Sequence, residues 1–187
     1  MALFDTPADV SVRPAVPGDE RAIARVQLAS WRAAHAQVLA GALERLDEDA
    51  MAAQWASAIG TPPGRGYRVL VACQGATVVG LVSVAPVPAA EHTPLAAPGG
   101  VLLALEVDPA HQRGGHGSRL LAAAVDLLRE DGADQVHTWV LDGDDARARF
   151  LSGAGLGPDE AVRELATGTD ADGAQLVVLE RRWYAAI

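Results

Sequence analysis

The stretch Leu105-Glu106-Val107-Asp108-Pro109-Ala110-His111-Gln112-Arg113-Gly114-Gly115-His116-Gly117-Ser118-Arg119-Leu120-Leu121 concentrates the residue types that could do chemistry. An apolar strand-like run ends at Asp108-Pro109, a glycine-rich turn follows, and an apolar-striped helix begins at once. Glycines let the backbone approach a ligand closely and adopt conformations barred to other residues. The first turn of a helix offers unpaired N–H groups and a partial positive charge, which suit a pyrophosphate. Arg113 adds a charge-assisted contact to a phosphate.

Three readings of this turn compete. It can be a tight strand-to-helix connection that binds nothing, although three glycines at a helix start are costly without a purpose. It can be a dinucleotide site, but after Gly115 and Gly117 the third glycine of G-x-G-x-x-G is replaced by Leu120. The acidic residue expected about 20 positions on falls near Gln135, before the next strand and not at its end. The third reading is a diphosphate cradle of another kind.

The elements that must position this turn follow from hydropathy patterning. Val10 to Arg13 alternates as a short strand, closed by Pro14. Asp19 opens a helix with Ile23, Val26, Gln27, Ser30, Trp31, Ala34 and Val38 on one stripe, which Gly41 ends or bends. A second helix is expected from Asp47 to Ile59, with Met51, Trp55 and Ile59 on one face, before a loop from Gly60 to Gly66. Arg68 to Cys73 and Val78 to Val84 form a hairpin about Gln74 to Thr77. Pro86 to Gly100, with four prolines, is expected to be a long surface loop of the kind that serves as lid or binding segment.

Val101 to Val107 is a buried strand, Gly117 to Glu130 an amphipathic helix stopped by Gly132, and Val136 to Leu141 another buried strand. Asp144 or Asp145 caps a short helix to about Gly153. Val162 to Leu165 and Leu176 to Arg182 form a last hairpin around Gly168 to Gly173. The order β-α-α-β-β-β-α-β-α-β-β describes an α+β or mixed α/β fold, and 187 residues suit one compact domain.

Composition narrows the partners. The net charge is -9, and all 15 basic side chains are arginine with no cluster among them, which argues against nucleic acid. An acidic cleft would attract a cationic acceptor, and the same charge also serves solubility. Cys73 is the only cysteine, so no intrachain disulfide and no cysteine-based zinc site is expected, and no metal-ligand spacing joins His111 to His116. Met1 to Asp5 does not begin a signal peptide, and no apolar run approaches the roughly 20 residues of a membrane span. A soluble cytoplasmic protein is the expectation.

Gln112-x-x-Gly115-x-Gly117, between Val107-Asp108-Pro109 and Leu120-Leu121, resembles the pyrophosphate loop of the GNAT N-acetyltransferases, whose pattern is Gln/Arg-x-x-Gly-x-Gly/Ala. Trp139-Val140-Leu141, Ala146 to Phe150 and Ala154-Gly155-Leu156 are similar to the family's later cofactor-binding half, and Trp31-Arg32-Ala33-Ala34 to its first helix. The resemblance spans about residues 10 to 184 and implies a GNAT-type mixed sheet with flanking helices. It implies acetyl-CoA, or a close acyl-CoA, as cosubstrate, held by Leu105, Val107, Gln112, Arg113, Gly114, Gly115, His116, Gly117 and Ser118. The pantetheine would pair in a gap between splayed strands like an added strand. The Val107 N–H would polarise the thioester carbonyl, and a small-molecule or protein amine would attack directly. A homodimer through the apolar final hairpin is the expectation for assembly.

The chain departs from the pattern in two places. Val101 stands where many members carry a glutamate, leaving Glu106 as the nearest carboxylate, read either as base or amine-binding anion or as a solvated strand-end charge. Leu151 stands in place of the usual tyrosine acid; Ser152 or Tyr184 are stand-ins that nothing selects. Trp31 and His35 share a helix face that in the family borders the acceptor, while core packing and a surface position are their plainer roles. The departures keep a rival open, an acyl-CoA-binding module without catalysis, with a dinucleotide-binding enzyme third.

Overall fold

The computed structural model describes residues 10–87, 98–169 and 173–187. Its strands are β1 (Val10–Pro14), β2 (Arg68–Gln74), β3 (Thr77–Val87), β4 (Gly99–Val107), β5 (Gln135–Leu141), β6 (Gly157–Thr169) and β7 (Gln175–Ala186). Its helices are α1 (Glu20–His35), α2 (Ala40–Glu44), α3 (Glu48–Gly60), α4 (His116–Glu130) and α5 (Asp145–Gly153), with one 3₁₀ turn at Pro109–His111. The strands join in one sheet, in the order β1-β2-β3-β4-β5-β7-β6. Every neighbouring pair is antiparallel except β4 with β5.

Both faces of the centre of the sheet are covered, which explains why β2 and β3 read as continuous apolar runs. Along β2 the side chains alternate between two cores. Leu70 and Ala72 pack with Leu120, Leu121, Ala124 and Leu128 of α4, while Val69, Val71 and Cys73 pack with Ile23 and Val26 of α1. Cys73 is buried, as its place in the run predicts. α3 closes the second face through Met51 and Ala52 against Ala24 and Leu28. Its start is fixed by Asp47, whose side chain accepts from the Ala50 N–H at 2.7 Å.

The expected order of elements is found, with one addition. α1 stops at His35, so Val38 is exposed and lies off the stripe assigned to it, and Gly41 sits inside the extra helix α2 without ending α1. Glycine is only a weak breaker when tertiary packing supports a turn of helix, and here Leu43 of α2 is buried. Strand β3 runs on to Val87 and β4 begins at Gly99, so the proline-rich loop is shorter than expected; its residues 88–97 lie outside the described ones, as do Met1 to Asp5 and residues 170–172 of the last loop. The final hairpin is much longer than predicted, because its mostly exposed strands carry little apolar periodicity to read.

The feature that matters most is where β4 and β5 part. Their parallel ladder runs from Gly99↔Gln135 to Leu102↔Thr138 and stops, although β4 continues to Val107 and β5 to Leu141. At the fork the Thr138 hydroxyl donates to the Leu102 carbonyl at 3.1 Å. On the other edge of β4 the register shifts between Ser83 and Val84, leaving Leu103 as an extra residue that bends the strand. Closure on the near side of the fork requires glycine, since a Cβ at Gly100 would lie 2.3 Å from Cδ2 of Leu128. Gly100→Ala is therefore expected to cost about 1–3 kcal/mol, read as a lower Tm; an unchanged Tm would show that α4 does not press on the strand as described.

Candidate active site

Beyond the fork, backbone alternation decides which groups face the gap. The Asp108 N–H donates to the Val79 carbonyl of β3 at 2.9 Å. Successive residues of a strand point their N–H and C=O to opposite edges, so Val107, and Leu105 before it, turn theirs toward the parted side. The Gln112 side chain covers the Val107 carbonyl at 3.4 Å, which leaves the Val107 N–H as a donor with no strand beside it.

The turn into α4 supplies a second set of donors. Asp108 accepts from the Ala110 N–H at 2.9 Å and so starts the 3₁₀ turn. Arg113 has φ of 64°, the only non-glycine positive value among the described residues, and Gly115 follows at 77°. Strain of this kind gathers at ligand clamps. Gly115 is the N-cap and gives no side-chain cap, and the first bond within the helix is Arg119 N–H to Gly115 O at 3.1 Å. The amides of His116, Gly117 and Ser118 therefore precede any intrahelical partner. Arg119 stiffens the turn by donating to the Gly114 carbonyl at 2.9 Å. At Gly117 a Cβ would stand 3.5 Å from the Phe150 ring, an ordinary contact distance, so the start of α4 lies directly beside α5.

These groups line one cavity of about 370 Å³, walled by Leu105, Glu106, Val107, Gln112, Arg113, Gly115, His116, Gly117 and Ser118, with Ser30, Ala34 and His35 of α1 and Ala146, Arg147 and Phe150 of α5. The sequence-predicted cradle residues are thus gathered at one place, save that Gly114 supports the turn without lining it. A second cavity of about 280 Å³ adjoins, lined by Trp31, Leu39, Leu43, Leu103, Trp139 and Leu165 among others. His35, Glu106, Asp144 and Arg147 belong to both.

Glu106 is the centre of this shared wall, and it is buried, not a solvated strand-end charge. Its Oε2 accepts from the Ser30 hydroxyl at 2.7 Å, and its Oε1 from Trp31 Nε1 and from Arg147 Nη1, each at 3.2 Å. A carboxylate has about four acceptor positions, so three donors leave one, on Oε2. His35 is buried as well, against the plainer surface reading, with Nε2 3.7 Å from Asp144 Oδ2. Trp31 is half-buried, packs against the core cluster of Ala24, Leu28, Met51 and Ala52 as the plainer reading expects, and also turns its indole N–H to Glu106. Arg147 Nε is buried with no hydrogen-bond partner, a donor left over for a ligand.

Sequence reasoning missed Ser30, Asp144 and Arg147 as site residues. Asp144 was readable only as a cap, which it is, accepting from the Arg147 N–H at 3.0 Å. The Arg147 to Glu106 pair spans 41 positions, and no local signal reports it. Trp139, read as core, is half-buried on the second cavity, with the Arg163 guanidinium 4.3 Å above its ring. Leu151 is fully buried in the core, and Ser152 and Tyr184 line neither cavity. Among the described residues no group of side chains is arranged to hold a metal ion, and no helix is long and apolar enough to cross a membrane.

A family model described as the acetyltransferase (GNAT) family matches residues 28–156. Among solved structures, an agmatine N-acetyltransferase is 17% identical with a TM-score of 0.68, over 96% of this chain and 100% of that one. The ribosomal-protein-alanine N-acetyltransferase of Brucella melitensis is 21% identical at TM-score 0.65, over 95% and 99%. An N-acetyltransferase of Thermoplasma acidophilum, in complex with coenzyme A, is 14% identical at 0.64, over 92% and 98%. These likenesses are of fold. No curated protein matches the sequence.

One charge in the cradle is absent at neutral pH. Burial, then the nearby Arg119 and His111, holds the His116 imidazole below its ordinary range, so the turn's positive potential comes from amides and arginine. A histidine with a lowered folded pKa contributes stability that is full above its unfolded value of about 6.5 and is lost as pH falls through the folded value. His116→Gln is therefore expected to lose less Tm than the parent between about pH 7.5 and pH 5; equal losses would mean that His116 titrates freely.

Proposed function

The chain belongs to the acetyltransferase (GNAT) family, and on that premise we propose that it moves an acetyl group from acetyl-coenzyme A to a primary amine by direct attack. The observation that carries this reading is one cavity holding both the unpaired Val107 edge of a parted sheet and the free amides that open α4. Acetyl-coenzyme A supplies the activated thioester and an anionic diphosphate, and these two donor sets fit those two parts of one molecule. The amides of His116, Gly117 and Ser118, with the Arg113 charge, hold the diphosphate. Leu105 and Val107 offer their backbone edge to the pantetheine amides in the gap. The Val107 N–H donates to the thioester oxygen, where charge develops as the amine attacks.

The acceptor amine meets the shared wall of the two cavities. Glu106, fixed by Ser30, Trp31 and Arg147, keeps one acceptor position on Oε2 for an amine N–H, orienting the nucleophile and taking its proton directly or through water. Trp31 and His35 border the acceptor there. No acid is needed at Leu151, because a thiolate with an intrinsic pKa of roughly 8.5 leaves readily. The buried Leu151 is also what favours the rival, a chain that binds acyl-coenzyme A and does not turn it over.

Turnover separates the two. With acetyl-coenzyme A and an accepted amine, release of the free thiol is expected, and Glu106→Gln is expected to lower kcat by about 100-fold or more with the acetyl-coenzyme A Kd little changed. Tight binding without thiol release from any amine would favour the rival, and an unaltered kcat in the variant would remove Glu106 from the chemistry.

A further inference from the structure

We propose that the second cavity receives the apolar body of the acceptor, which makes that acceptor a monoamine carrying a bulky aliphatic or aromatic frame and not a short alkylamine, a polyamine, an aminoglycoside or an amino acid. The inference rests on the acetyl-transfer reading above and adds the chemical class of the amine.

The walls state the class. Away from the shared wall the cavity is lined by Leu39, Leu43, Leu46, Leu103, Leu141 and Leu165, with the rings of Trp31 and Trp139. Leu103 is 60% exposed and Leu165 42%, so apolar side chains face water in a concave site where an apolar occupant would cover them. Leu103 is the residue pushed out where β4 bends at the fork, so the same irregularity that parts the strands presents it to the cavity. Arg163 sits over Trp139 and holds its ring in place. The cavity's opposite walls are tied together, since Arg45, next to α2, donates to the Thr167 carbonyl of β6 at 2.6 Å. That bridge suits a compact molecule better than an extended polypeptide.

Charge sets the number of ionic groups the acceptor carries. At the shared wall the Glu106 carboxylate pairs with the Arg147 guanidinium, while the Asp144 carboxylate has the His35 imidazole 3.7 Å away and, among the described residues, no guanidinium of its own. One ammonium balances this excess on arrival. A second ammonium would be driven among leucines and tryptophans, where an unpaired charge is heavily penalised. A carboxylate on the acceptor would add like charge to Glu106 and Asp144.

The experiment compares phenethylamine, ethylamine, phenylalanine and spermidine as acceptors with wild-type protein and acetyl-coenzyme A, following thiol release and, by calorimetry, amine binding to the coenzyme A complex. Phenethylamine is expected to exceed each of the other three in kcat/KM by about 10-fold or more, as a filled apolar pocket discriminates. Leu165→Asp, at an exposed position of β6, is expected to reduce that preference about 10-fold, mainly through KM, without altering acetyl-coenzyme A affinity. Preference for spermidine, phenylalanine or ethylamine would overturn the inference and leave acetyl transfer standing. So would a coenzyme A complex that neither binds nor acetylates phenethylamine. Absence of any acetyl-coenzyme A affinity would instead overturn the reading beneath it.

Discussion

A backbone amide inside a protein needs a partner, and a sheet normally supplies it through the next strand. Between β4 and β5 that supply ends at Leu102 and Thr138 while both strands continue. A sheet interrupted at its middle exposes ladder groups where the fold otherwise buries them, and those groups favour an occupant that can pair as a strand would. The rest of the site is arranged around this gap.

What keeps the gap open is local and identifiable. Thr138 uses its hydroxyl to finish the ladder at the Leu102 carbonyl. The register shift beside Leu103 bends β4 away from its parallel neighbour. Behind the fork, α4 lies so close to β4 that Gly100 admits no side chain, and ahead of it α4 begins with three amides turned to the same cavity. One helix therefore closes the sheet at one end and opens onto the cavity at the other. The charged wall made by Glu106, His35, Asp144 and Arg147 stands where α1, β4 and α5 converge, and the two cavities share it.

Much of this was legible in the residues. The strand ending at Val107-Asp108-Pro109, the glycine turn and the striped helix form a local pattern, and the structure gathers those residues on one cavity. The order of strands and helices was readable because both faces of β2 and β3 are buried and α4 has a single apolar stripe. What escaped was non-local or weakly periodic. Nothing near Arg147 announces Glu106, 41 positions away. His35 looks like a surface residue at a helix end until α5 brings Asp144 beside it. Strands β6 and β7 were cut short because exposed strands alternate little, and α2 was overlooked because glycine argued against it.

The most direct test of the occupied gap is an amide NMR titration of the protein with acetyl-coenzyme A. The account predicts that the N–H signals of Leu105 and Val107 shift together with those of His116, Gly117 and Ser118, at one common Kd, while those of β1 and β2 stay in place. Shifts confined to the α4 turn, with Leu105 and Val107 unmoved, would contradict it, because the thioester arm would then lie outside the parted strands.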